Sequence, residues 1–134
     1  IISKQTRHSG GDSQYNTLKI GLQVDREELK KRISQRTQKM ITAGFLDEVK
    51  SILVRGYSET LKPFQSLGYK QIIKYLTAEF DLDEALRLIN RDTWHYAKRQ
   101  MTWFSSDKEI KWFNPDCYQD IKKNVDKFWK ENGY

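Results

Sequence analysis

The sequence predicts a mixed α/β chain that is mostly α-helical, with one main strand over about residues 17–24 and a candidate short strand over 110–113. Two observations predict it. Apolar residues recur at helical spacing through most of the chain, and strict alternation occurs where Leu18, Ile20 and Leu22 are separated by Lys19, Gly21 and Gln23. A single strand makes no sheet by itself, so residues 17–24 ask for partners that this chain barely provides.

The elements follow in order. Residues 3–16 are polar, with Ser9-Gly10-Gly11-Asp12-Ser13, and 1–16 reads as a linker or loop; the rest, 17–134, reads as one unit. Asp25 with Glu28 three residues later is an N-cap and capping-box pair, so a helix starts at Arg26 and ends near Gly44. A second helix runs from Phe45 to Arg55, burying Phe45, Val49, Ile52 and Leu53, and stops at Gly56. Pro63 marks a loop, and a helix from Tyr69 to Leu76 turns Ile72, Ile73 and Leu76 inward. The acidic run Asp81-Leu82-Asp83-Glu84 opens a long helix that reaches Ser105-Ser106-Asp107. The chain closes with an amphipathic helix carrying Tyr118, Ile121, Val125 and Phe128 inside and Lys122, Lys123, Lys127 and Lys130 outside.

Composition narrows the function. A net charge of +6 and a pI near 9.4 permit a nucleic-acid partner. The only cysteine, Cys117, excludes an internal disulfide and fits a reducing compartment. No apolar run approaches the ~20 residues of a membrane span. His8 and His95 lack ligand spacing and companion carboxylates, so no metal ligand is assigned.

The long helix sorts its chemistry by face. Leu82, Ala85, Leu86, Ile89, Thr93, Tyr96, Ala97, Gln100 and Phe104 share one mostly apolar side. Arg87, Arg91, Trp94, Lys98, Thr102 and Ser105 share the other, with His95 and Arg99 at its flank. Cations beside aromatics suit a polyanion with planar bases, because cations meet phosphates and rings stack on bases; a merely solvated basic face gives the same pattern. On the first helix, Leu29, Ile33 and Met40 define an apolar stripe, and Arg36 is expected in the gap between them. A guanidinium there either snorkels to a carboxylate or aims its fork at a phosphate.

Three blocks carry a family resemblance. Arg32 to Val49 is similar to R-x-x-x-R-x-x-x-M-x-x-x-G-(h)-x-x-E-V, where (h) is apolar; Ser66-Leu67-Gly68-Tyr69-Lys70 is similar to S-(h)-G-Y-(K/R); and Thr93 to Phe104 is similar to T-R-x-Y-A-K-R-Q-x-T-W-F. Together, and in this order, they resemble the tRNA dimethylallyltransferases (tRNA isopentenyltransferases). Trp94 departs from the pattern where Arg is usual, and Ser105 and Ser106 stand where basic residues are common.

The resemblance implies a nucleotide-binding, P-loop NTPase-like α/β fold of which this sequence is the C-terminal half, because no G-x-x-x-x-G-K-[ST] loop occurs. It implies transfer of a dimethylallyl group from dimethylallyl diphosphate to the exocyclic amine of the adenosine immediately 3′ of the anticodon in tRNA. Arg36 becomes the active-site residue that serves the diphosphate. Gln65, Ser66, Leu67, Gly68, Tyr69 and Lys70, with Lys98, Arg99, Gln100, Met101, Thr102, Trp103, Phe104 and Ser105, become the tRNA contacts. Mg²⁺ is expected to be bound mainly by the other half, which also supplies the general base. The expected protein is cytoplasmic and monomeric, with no membrane partner, and the isolated chain is expected to be inactive. Two other readings stay open: an adenylate isopentenyltransferase acting on free nucleotides, and a non-enzymatic helical RNA-binding module.

Overall fold

The computed structural model describes residues 16–133. Those residues fall into two compact units, one formed by residues 16–23 and 108–133 and the other by Val24–Asp107. The linker expected over 1–16 lies outside the described residues except for Asn16, whose amide donates to Asn132 Oδ1 at 2.5 Å; His8 and Gly10-Gly11 lie outside them too.

The first unit holds a two-stranded parallel sheet, β1 (Ile20–Leu22) beside β2 (Lys111–Phe113), in the register Ile20↔Lys111, Gly21↔Trp112 and Leu22↔Phe113. β1 is shorter than the expected 17–24 because its partner is only three residues long; flanking bonds from Gln23 N–H to Phe113 O and from Lys111 N–H to Lys19 O close the ladder at 2.9 Å each. Leu18 and Ile20 are half-buried and Leu22 is exposed. A Cβ on Gly21 would meet the Trp112 ring at 2.5 Å, so only a residue without a side chain lets that indole lie over β1. The unit ends in α5 (Tyr118–Glu131), whose Ile121, Val125 and Phe128 are half-buried while its lysines are exposed.

The second unit is helical. α1 (Arg26–Thr42) starts where expected, with Asp25 Oδ1 accepting from the N–H groups of Glu27 and Glu28 at 2.9 and 3.0 Å. The Glu28 carboxylate takes Arg32 Nε at 2.7 Å instead of reaching back to the cap. α1 ends at Gly44, whose φ of 94° leads into α2 (Phe45–Val54), and α2 stops at Gly56. The loop expected at Pro63 is a 3₁₀ helix over Lys62–Gln65, since Pro at its first turn needs no amide donor and pre-sets φ. α3 (Tyr69–Leu76) is as expected, and α4 (Leu82–Phe104) is capped by Asp81, whose Oδ1 accepts from Glu84 N–H at 2.7 Å.

Phe45, Val49, Phe64, Ile72, Ile73 and Ile89 form the core of this unit, with Met40, Ile41, Ile52, Leu53, Tyr69, Leu76 and Leu86 packed around it. Burying each such side chain contributes roughly 1.5–3 kcal/mol before entropy is counted. α4 packs on both α1 and α3, and its buried residues, Ala85 and Ile89, lie in its first half. Its second half does not stay buried. Tyr96, Gln100 and Phe104, expected inward, are exposed.

Candidate nucleic-acid interface

Arg36 is exposed on α1, not set in the buried stripe. That stripe runs through Ile33 and Thr37; the Thr37 hydroxyl lies 2.7 Å from Asn90 Oδ1 on α4 and 3.1 Å from Ile33 O. A threonine reads as polar in sequence but fills the slot because its hydroxyl is satisfied there. Arg36 therefore faces outward, where it lines an open hollow with Arg32, Gln35, Lys39, Met40 and Ala43. Among the described residues no carboxylate pairs with it.

The Ser66–Lys70 segment and the long helix meet. Gln65, Ser66, Leu67, Lys70 and Gln71 line one side of a cleft whose other side is Asp92, His95 and Arg99 of α4. Two segments separated in sequence thus present Lys70 and Arg99 to one space. Local bonds shape the turn: Ser66 Oγ donates to Pro63 O at 2.5 Å, Gln65 Nε2 donates to Glu59 O at 3.1 Å, and Gly68 takes φ 94° and ψ −58°. The Gly68 N–H goes to Gln71 Oε1 at 3.0 Å and the Lys70 N–H to Ser66 O at 3.3 Å, so these two amides at the start of α3 already have partners. The cleft's positive charge comes from side chains rather than from that helix end.

Tyr69 sits differently from its neighbours. Its ring meets Phe45 edge-on with centroids 5.1 Å apart, and its hydroxyl donates to the Glu48 carboxylate. That bond, with lesser help from burial and from the charge of Glu48, holds the phenol above its ordinary titration range.

Further along α4, Lys98, Arg99 and Gln100 are exposed, and the Arg99 guanidinium lies 6.0 Å from the Tyr96 ring. Met101 is half-buried, and the hydroxyls of Thr102 and Ser105 bond back to Lys98 O and Thr102 O at 3.0 and 2.9 Å. Trp103 is 77% exposed and lies nearly parallel to Phe104, with ring planes 11° apart and centroids at 6.1 Å. These aromatics lie open to planar ligands. Trp94, expected on the open face, is half-buried beneath α1: Arg26 and Lys30 lie over its ring at 5.2 and 5.6 Å. Gln71, Asp92, Thr37 and Asn90 were absent from the expected site and its supports. The one signal for Gln71 was its place three residues after Gly68, the capping-box position.

A family model described as IPP transferase matches residues 1–107. The chain belongs to the IPP transferase family. A tRNA dimethylallyltransferase 2 of Geotalea uraniireducens is 49% identical over 102 residues, covering 76% of this chain and 33% of that protein. One of Syntrophus aciditrophicus is 44% identical over 128 residues, covering 96% of this chain and 41% of that one. The solved full-length tRNA isopentenylpyrophosphate transferase of Bacillus halodurans superposes with a TM-score of 0.80 at 32% identity, over 90% of this chain and 41% of its own. This member of the IPP transferase family therefore spans well under half the length of the relatives it matches.

Proposed function

We propose that this chain is the C-terminal, tRNA-gripping part (residues 17–134) of a P-loop-type enzyme. That enzyme moves a dimethylallyl group from dimethylallyl diphosphate to the exocyclic amine of the adenosine immediately 3′ of the anticodon. The observation that carries the reading is the cleft in which Ser66 and Lys70 face Arg99. Phosphates of a loop entering the cleft meet Lys70 and Arg99, while Trp103 and Phe104 offer faces on which displaced bases stack. The target adenine leaves its stack to react. As diphosphate departs, negative charge grows on its oxygens, and the outward fork of Arg36, which no carboxylate among the described residues engages, is suited to receive it. Among the described residues no group of three or more His, Cys, Asp or Glu is arranged to hold an ion. Mg²⁺ would be held mainly by the other half of the enzyme.

No helix among the described residues is long and apolar enough to cross a membrane. We take the protein as a cytoplasmic monomer with tRNA and dimethylallyl diphosphate as partners. The test is transfer of labelled dimethylallyl from its diphosphate by the polypeptide as its gene encodes it, with tRNA and AMP as rival acceptors. Label on tRNA alone is expected. Label on AMP alone makes it an adenylate isopentenyltransferase, and tRNA binding with no transfer leaves an RNA-binding module.

A further inference from the structure

We infer that Gln71 and Asp92 are positioning residues of the cleft, tying the 65–68 turn to α4 through one relay of hydrogen bonds; the inference rests on the reading of that cleft as a tRNA site. Gln71 is only 5% exposed, and both ends of its amide are committed. Its Oε1 accepts from Gly68 N–H at 3.0 Å and its Nε2 donates to Asp92 Oδ2 at 2.8 Å. Asp92 Oδ1 in turn takes Arg91 Nε at 2.8 Å and Arg91 Nη2 at 2.7 Å.

The relay has one polarity. Rotating the Gln71 amide would set donor against donor at Gly68 and acceptor against carboxylate at Asp92, so the side chain is locked. It fixes the backbone at Gly68 to a point on α4 one turn before His95 and two before Arg99. Ser66 and Lys70 are thereby held opposite those residues. Arg91 serves the same end, because it offsets a carboxylate that would otherwise repel the phosphates drawn in by Lys70 and Arg99.

Residue chemistry allows the polarity to be reversed as a test. Gln71→Glu keeps the acceptor for Gly68 N–H but sets two carboxylates against each other. Adding Asp92→Asn restores a bond, with the introduced amide donating to the introduced carboxylate. Gln71→Glu is expected to weaken tRNA binding about 10-fold at fixed ionic strength and to raise the apparent KM for tRNA, with the KM for dimethylallyl diphosphate unchanged. The double variant is expected to return to within about threefold of the parent. Should Gln71→Glu fail to fold, Gln71→Met, which keeps the length without either bond, carries the same expectation of weakened binding.

A folded Gln71→Glu or Gln71→Met variant that binds tRNA as the parent does overturns the inference. So does a double variant that regains the parent's melting temperature without its tRNA affinity, or a rise in both KM values together. A parent that binds no tRNA sinks the proposed function and this inference with it, whereas a binding parent with an indifferent Gln71→Glu variant sinks this inference alone.

Discussion

Gly68→Ala should cost far more than an alanine at another positive-φ glycine of the same unit, and the structure says by how much. At φ 94° and ψ −58°, Gly68 occupies backbone that residues with a Cβ reach only under strain of roughly 1–3 kcal/mol. The new Cβ would lie 3.3 Å from Phe45 Cζ in the core, so that ring must yield by a few tenths of an ångström, adding up to about 1 kcal/mol. Alanine recovers roughly 0.4–1 kcal/mol by restricting the unfolded chain. Taken at their central values, these contributions leave a net loss of about 2 kcal/mol. Gly44 shares the φ of 94°, but its ψ of 21° is ordinary left-handed backbone, and no atom lies within 4 Å of its Cβ position. Gly44→Ala should therefore cost no more than about 1 kcal/mol. At roughly 4 °C per kcal/mol for a chain of this size, thermal unfolding followed by circular dichroism should show a drop of ~8 °C for Gly68→Ala against ~4 °C or less for Gly44→Ala. Equal drops, or a Gly68→Ala variant that melts with the parent, would refute the reasoning.

Arg36→Ala removes an exposed side chain with no carboxylate partner among the described residues, so its melting temperature should match the parent's, while kcat/KM for dimethylallyl diphosphate falls ~10- to 100-fold; unchanged kinetics would remove Arg36 from the reaction. Tyr69→Phe should produce a small loss at neutral pH, because solvent reaches the bond to Glu48. The Tyr69 phenol titrates above its ordinary 10.0, so the parent's advantage is full below pH 10 and vanishes as pH rises through the raised value; denaturant midpoints of both proteins across that range check it. Ala78 closes α3 with φ 60°, its N–H bonding Tyr75 O and the Glu79 N–H bonding Lys74 O, the geometry of a Schellman cap that favours glycine. Ala78→Gly should raise stability by up to about 1 kcal/mol, measured in the same melts.

Local chemistry was readable where a residue acts on its own neighbourhood. Asp25 and Asp81 announced the starts of α1 and α4, Gly44 and Gly56 announced stops, and the bounds of α3 followed from its apolar spacing. What depended on a partner was not. The extent of β1 is set by the three residues of β2, and the exposure of Tyr96, Gln100 and Phe104 by the point at which α1 and α3 leave α4 uncovered, neither of which periodicity reveals. Arg36 was expected in the stripe because Thr37 counts as polar until Asn90 stands opposite its hydroxyl. Motif identity marked the Ser66–Lys70 turn and the Lys98–Ser105 stretch. The relay through Gln71 and Asp92 needed coordinates, since nothing in one sequence says that positions 71 and 92 touch.

The pairing of β1 with β2 joins residues that stand far apart along the chain, and everything between Val24 and Asp107 is one uninterrupted stretch with its own core. Forming that core needs mostly short loops, whereas the sheet must wait for a long one to close. During synthesis the helices can therefore consolidate before the strands find each other. The same layout makes residues 24–107 a cassette: excised at those borders and grafted onto an unrelated carrier, it should take its cleft along.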